Sequence, residues 1–165
     1  SFVLRAIGRV GGISSSSSLR SIQNQIEMSI RHGAMKEVKY PIGFPLIRNK
    51  ILITKRPRGK SMAGLWEFPG GKIEKNETPE KALIRELYEE LDIEIENSCL
   101  APITFASYSY PKFHLLMPLF VCRKWKGIVR SKEGQILKWT KSQDLQKFPM
   151  PPADKPLIPI IRDWV

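Results

Sequence analysis

The sequence predicts an α/β domain built on a mixed β-sheet. Three observations carry that expectation: leucines recurring every four residues between Thr78 and Leu91, strand-like apolar segments on both sides of them, and more helical pattern near the C-terminus.

Residues 1 to 35 precede the domain. They hold Arg5, Arg9, Arg20 and Arg31, a serine run from Ser14 to Ser18 and a single acidic residue, Glu27, a composition poorly suited to a core. The segment reads as a low-complexity extension, disordered or belonging to a misassigned start, with organelle targeting as the alternative because transit peptides share this composition. A start at Met35 would leave 131 residues, a usual domain size. The domain itself is expected over residues 36 to 165.

Ile51, Leu52 and Ile53 predict a strand in a hairpin with the segment before it, although Pro41 and Pro45 there each remove a ladder donor. Thr78 to Leu91 predicts a helix, with Thr78 as its cap, Pro79 in its first turn and Leu83, Leu87 and Leu91 on one side. Residues 101 to 110 and 114 to 122 predict two strands about a turn at Pro111 and Lys112, and Gln135 to Thr140 a further one. Ser142 to Lys147 predicts a short helix and Lys155 to Val165 a C-terminal one interrupted at Pro159. No internal repeat is present.

The formal charge of +11 suggests a nucleic-acid binder until it is located. Residues 1 to 60 hold 12 Lys and Arg against 2 acidic residues, and residues 61 to 165 hold 15 against 14. The domain therefore lacks the broad positive field that phosphate-backbone binding requires, and no stable nucleic-acid partner is expected. No apolar run approaches the roughly 20 residues of a bilayer span, so no membrane association is expected. Cys99 and Cys122, without nearby Cys or His partners, suggest neither zinc nor a disulfide framework, and a reducing, cytoplasmic setting fits. The expected assembly is a monomer or weak dimer.

The chemistry concentrates between residues 70 and 93. On a helix turning about 100° per residue, Glu86, Glu89 and Glu90 share one flank while the leucines occupy the neighbouring one. Carboxylates three and four residues apart repel by a few tenths of a kcal/mol per pair, so the cluster is unfavourable unless a cation joins it. Hard oxygen ligands on a rigid helix suit Mg²⁺, with Mn²⁺ possible. The bland alternative is a solvated helix face with Glu77–Lys81 and Arg85–Glu89 pairs.

The spacing Gly71, five residues, Glu77, seven residues, then Arg85-Glu-Leu-Tyr-Glu-Glu-Leu-Asp-Ile93 resembles the Nudix hydrolase signature in eight of its nine specified positions. The resemblance implies an α/β/α sandwich and a loop–helix–loop in which the Gly70 carbonyl, Glu86, Glu89 and Glu90 bind divalent metal. It further implies that Arg85 orients Glu86, a general-base candidate, and that Gly71 and Glu77 shape and brace the loop. Asp92 departs from the family's glycine. Glycine there fits a helix ending in a left-handed conformation, which Asp tolerates better than most residues, so a cost in stability and little change in chemistry are expected.

Beyond this box, Ile51 to Pro57, Leu65 to Ile73, Lys132 to Gln135 and Pro151 to Asp154 look like the MutT branch, the 8-oxo-dGTP diphosphatases. That similarity implies Mg²⁺-dependent hydrolysis of an oxidised purine nucleoside triphosphate to the monophosphate and pyrophosphate, a cleansing of DNA precursors. It implies that Glu133 joins the metal site from a loop, with an alternative role as base, and that Arg56, Phe68 and Asp154 line the nucleobase pocket. Asp154 leaves the base open: MutT enzymes commonly have asparagine there, whereas related pyrophosphohydrolases for cytidine nucleotides carry aspartate. A helix N-cap is its structural alternative. His114 reads as a buried, hydrogen-bonded residue rather than a catalytic one, and Trp66 and Trp125 as core or surface anchors. A non-catalytic nucleotide-binding module on the same fold is the remaining rival, and the retained glutamates argue against it.

Overall fold

The computed structural model describes residues 36–165; the expectations for residues 1–35 lie outside the described residues. In chain order the elements are β1 (Lys36–Lys39), β2 (Ile42–Ile47), β3 (Lys50–Lys55), β4 (Trp66–Glu67), α1 (Pro79–Leu91), β5 (Leu100–Tyr110), β6 (Phe113–Cys122), β7 (Ile136–Lys141) and α2 (Leu157–Trp164). Short 3₁₀ turns cover Asn97–Cys99 and Ser142–Lys147, the second where a short helix is expected.

β6 organises one half of the sheet. It pairs antiparallel with β5 and parallel with both β1 and β2, in one unbroken register from Lys36 opposite Phe113 to Pro45 opposite Cys122. The gap between β1 and β2 falls at Pro41, which has no N–H to give to a ladder. At its far end β2 leaves β6 and forms a hairpin with β3, and Pro45 stands at that changeover, so the prolines punctuate the edge without destroying it. The hairpin turn is only Arg48-Asn49, both at positive φ (46° and 60°), the two-residue geometry that matches strand twist. β3 then pairs antiparallel with β4 and β7.

Alternating side chains send each strand to two cores. Ile51 and Ile53 of β3 and Leu119 and Val121 of β6 pack with Leu145, Leu157 and Ile161 under α2. Leu52, Phe120 and Cys122 point the other way, against Leu83, Leu87 and Leu91 of α1. The result is the expected three layers, helix on sheet on helix. Each fully buried leucine of α1 contributes roughly 1.5–3 kcal/mol, several times the repulsion among its glutamates, so packing decides where the acidic flank points.

Thr78 caps α1 by accepting from the Lys81 amide, and Asp92 ends it at φ 59°, ψ 37°, in the expected left-handed conformation. α2 differs from expectation. It starts at Leu157 and is not interrupted by Pro159, because that residue lies in the first turn, where backbone N–H groups have no intrahelical partner to lose.

The loop before α1 is tied to the outer edge of β1 and β2. Gly43 N donates to Pro69 O (2.9 Å), Gly71 N to Pro41 O (3.2 Å) and Ile73 N to Lys39 O (3.3 Å). That edge is what brings the glycine loop beside the helix.

Candidate active site

Gly70 and Gly71 form the floor of the acidic cluster. Gly70 has φ 149°, and a Cβ there would lie 2.4 Å from Pro41 O and 2.8 Å from the Ile42 Cα, so only glycine lets the loop meet the strand. A Cβ on Gly71 would lie 1.9 Å from the Glu86 carboxyl group. The missing side chain is the space that the Glu86 carboxylate occupies.

Arg85 links the loop to the helix. Its Nε and Nη2 donate to the two carboxylate oxygens of Glu77 (2.9 and 3.0 Å), and Nη2 also reaches Lys72 O (3.1 Å). Its Nη1 donates to Glu86 (3.0 Å) and Glu89 (3.2 Å). Glu77 additionally accepts from the Glu74 amide (3.0 Å), which closes the loop on itself. The Arg85–Glu89 pair of the solvated-face alternative is therefore present, but Glu77 pairs with Arg85 and not Lys81. Hydrogen bonding to Arg85 holds the Glu77 carboxyl below its ordinary range, while Glu86 is raised, mainly by desolvation.

Glu90 lies deeper. Desolvation, then the charges of Glu67, Glu86 and Glu133, push its pKa up to about 8, with the Gly70 amide acting in the opposite direction. Its Oε2 is buried and has no hydrogen-bond partner among the described residues. Glu133 sits across from the helix on the segment before β7, exposed, its carboxylate 2.8 Å from Lys60 Nζ. Among the described residues, no three acidic, His or Cys side chains are gathered in a form that could hold a metal ion. Glu86 and Glu89 are turned toward Arg85, and Glu133 toward Lys60. The orphaned Glu90 oxygen and the crowding of like charges nevertheless fit a divalent cation, since a hard cation would satisfy the first and neutralise the second.

A cavity of about 230 Å³ opens beside this cluster, bounded by Tyr40, Arg56, Glu67, Phe68, Tyr110 and Asp154 among others. It is smaller than the roughly 300–1,000 Å³ of pockets for drug-sized ligands. Arg56 and Glu67 form an ion pair across its wall, and Arg56 Nε donates to Ser61 O (2.7 Å). Phe68 is both core and wall, 1% exposed with its ring 5.9 Å from that of Phe44. Asp154 is buried, and desolvation, then the charge of Glu67, pushes its pKa up to about 7 against a hydrogen bond from the Phe68 amide. It does not cap α2, whose N-cap is Pro156 without a side-chain bond.

The three pocket residues expected from the sequence are thus together, and so are the loop and helix residues of the box. Sequence reasoning did not assign Tyr40, Glu67 or Lys60. Glu67 carried a signal, as it alternates with Phe68 in a recognisable motif, whereas Tyr40 and Lys60 reach the site only through the fold. His114 lies half-buried rather than buried, its two ring nitrogens each 2.9 Å from the Ser107 and Ser109 hydroxyls, away from both regions. Trp66 packs on Phe148 and Trp125 stacks on Trp139. Both cysteines are free.

The sequence over residues 44–159 matches the family model described as NUDIX domain. The chain is 38% identical to the 8-oxo-dGTP diphosphatase of Escherichia coli over 127 residues, 75% of this chain and 95% of that protein. It is 35% identical to the CTP pyrophosphohydrolase of Escherichia coli over 119 residues, 66% of this chain and 79% of that protein. Its fold superposes on a solved MutT structure, from work on Aliivibrio salmonicida and Vibrio cholerae, with a TM-score of 0.67 and 30% identity, covering 79% of this chain and all of that one.

Proposed function

The chain belongs to the Nudix family, and from that premise we propose that it is a MutT-type diphosphatase hydrolysing 8-oxo-dGTP to the monophosphate and pyrophosphate. The observation that supports this most directly is the adjacency of acidic cluster and pocket. Glu67 and Tyr40 bound the pocket, yet Glu67 raises the pKa of Glu90, and Glu67, Glu90 and Glu86 add to the burial that pushes the Tyr40 pKa up to about 12. A nucleotide with its base beside Asp154 would present its phosphates to the glutamates.

The Gly70 carbonyl, Glu86, Glu89, Glu90 and Glu133 would hold Mg²⁺, or Mn²⁺ in its place. When bound, the metal would neutralise triphosphate charge and favour ionisation of water, the contribution that phosphoryl transfer needs most. Glu86 accepts the proton of the attacking water, with Glu133 as the second candidate base. Arg85, anchored by Glu77 and the Lys72 carbonyl, also donates to one oxygen of Glu86 and so would hold that carboxylate over Gly71 for its role as base. Phe68 and its neighbours exclude water from the base, and Asp154 reads its edge by accepting from base N–H groups or, when protonated, by donating.

A monomer or weak dimer acting on free nucleotides, with no nucleic-acid partner, completes the reading. An aqueous, cytoplasmic compartment suits that activity; among the described residues, no helix is long and apolar enough to cross a membrane. A cytidine nucleotide is the second reading, favoured by Asp154 and by the likeness to a CTP pyrophosphohydrolase. Comparing kcat/KM for 8-oxo-dGTP, dGTP, dCTP and its methylated form with Mg²⁺ decides between them. Glu90→Gln should abolish metal-dependent turnover of whichever substrate is preferred; near-normal activity in that variant would sink the assignment.

A further inference from the structure

The end of α1 is fastened to the segment that carries Glu133. The open carbonyls of the last helical turn accept from that segment: Arg130 N donates to Leu91 O (3.0 Å) and Lys132 N to Glu90 O (3.0 Å). Gln135, which is buried, donates through Nε2 to Glu90 O (3.1 Å), while its Oε1 accepts from the Ser131 hydroxyl (2.7 Å) and the Glu133 amide (3.0 Å). Over this frame lies a charged clasp. Asp92 Oδ2 takes Arg130 Nε at 2.7 Å and Asp92 Oδ1 takes Lys132 Nζ at 3.2 Å. Lys132 Nζ also stands 4.4 Å from the centre of the Tyr88 ring, on the last turn of the same helix.

We propose that Asp92 is a positioning residue whose carboxylate pins residues 130–132 to the end of the glutamate helix and so holds Glu133 at the acidic site. The proposal rests on the reading of Glu133 as part of the metal site. A glycine here would serve the left-handed backbone better, since Asp at φ 59° is strained where glycine is not. The side chain therefore acts against local backbone preference, and the two ion pairs are what it adds. Each exposed pair is weak, but the clasp has only to bias a short loop already tied by three hydrogen bonds.

Asp92→Gly separates positioning from folding, because it relieves the backbone while releasing the loop. Expected results are an unchanged or higher melting temperature, faster hydrogen exchange at the Lys132 and Glu133 amides, and roughly three- to tenfold weaker Mn²⁺ binding by calorimetry with a matching fall in kcat/KM. The double variant Arg130→Gln/Lys132→Gln should give the same losses from the other side of the clasp. In a Glu133→Gln background, Asp92→Gly should add nothing. Unchanged exchange and Mn²⁺ affinity in Asp92→Gly, or an equal further loss in the Glu133→Gln background, would overturn the proposal while leaving the role of Glu133 intact. Wild-type Mn²⁺ binding and turnover in Glu133→Gln alone would instead remove Glu133 from the metal site, and the positioning role with it.

Discussion

Adjacent and identical, Gly70 and Gly71 are required for different reasons. An alanine methyl at Gly70 would meet the backbone of Pro41 and Ile42, which cannot retreat without opening the sheet edge, whereas at Gly71 it would meet only the end of a flexible glutamate. Gly70→Ala should therefore destabilise the fold, by roughly 1–3 kcal/mol as overpacking commonly does, and more if its positive φ is forced to change. Gly71→Ala should melt close to wild type but lose most of its activity, because Glu86 must leave its place against the loop. Melting curves and kcat for the two variants, measured together, check the contrast; equal destabilisation would show that the Glu86 pocket is part of the fold. Arg85 belongs to the same scale. One guanidinium spans Glu77, Glu86, Glu89 and a loop carbonyl, a geometric match to carboxylates that lysine could not reproduce.

At the scale of elements, α1 is amphipathic in a functional sense: its leucines decide how close its glutamates come to the loop. β2 accommodates that closeness with Gly43, where a Cβ would lie 2.8 Å from Leu83 Cδ2. Leu83→Ala should cost roughly 2–5 kcal/mol, as truncations in a packed core do, and should weaken metal-dependent turnover beyond what the folded fraction explains. Activity per folded molecule, taken from denaturant titration alongside kinetics, is the measurement; proportional losses would mean that the helix keeps its seat without that side chain. Much of this element was legible beforehand, since Thr78, Pro79 and the leucine spacing mark the helix and the spacing from Gly71 to Glu90 marks the loop. What spacing could not convey was the partner of each charge. Glu77 lies four residues from Lys81 in the chain, yet the loop folds back and gives it to Arg85, because a bidentate contact is stronger than an exposed helical pair.

For the molecule as a whole, two buried carboxyl groups set the pH response. Glu90 is raised from 4.5 to about 8 and Asp154 from 3.8 to about 7, both first by desolvation. Between the ordinary carboxylate range and those values the folded protein keeps protons that the unfolded chain has released, so metal-free stability should fall as pH rises. The slope approaches about 1.4 kcal/mol per pH unit for each group while it lies between its two pKa values. Glu77, Asp92 and Asp144 are lowered, first by hydrogen bonds to Arg85, Lys132 and Lys147 respectively, and act at more acidic pH. A divalent cation at the proposed site requires ionised carboxylates, so stabilisation by Mg²⁺ should grow from pH 6 to pH 8, and EDTA should reverse it. Thermal melts across that range with Mg²⁺ or EDTA test this, and Asp154→Asn should flatten the metal-free profile below pH 7. A metal-free melting temperature that rises with pH would contradict the burial of these groups.

The sequence by itself marked the helix, its acidic flank, the glycine loop and most of the strand segments, all of which rest on local periodicity and fixed spacing that short stretches of chain express directly. It also foretold the left-handed end at Asp92. Tertiary structure decided the rest. It set Tyr40 and Glu67 beside Arg56, withdrew Asp154 from helix capping into the pocket, and turned Asp92 from a tolerated substitution into a contact with Arg130 and Lys132. These depend on which backbone edges meet and which charges are left to pair, quantities that exist only once distant segments have packed.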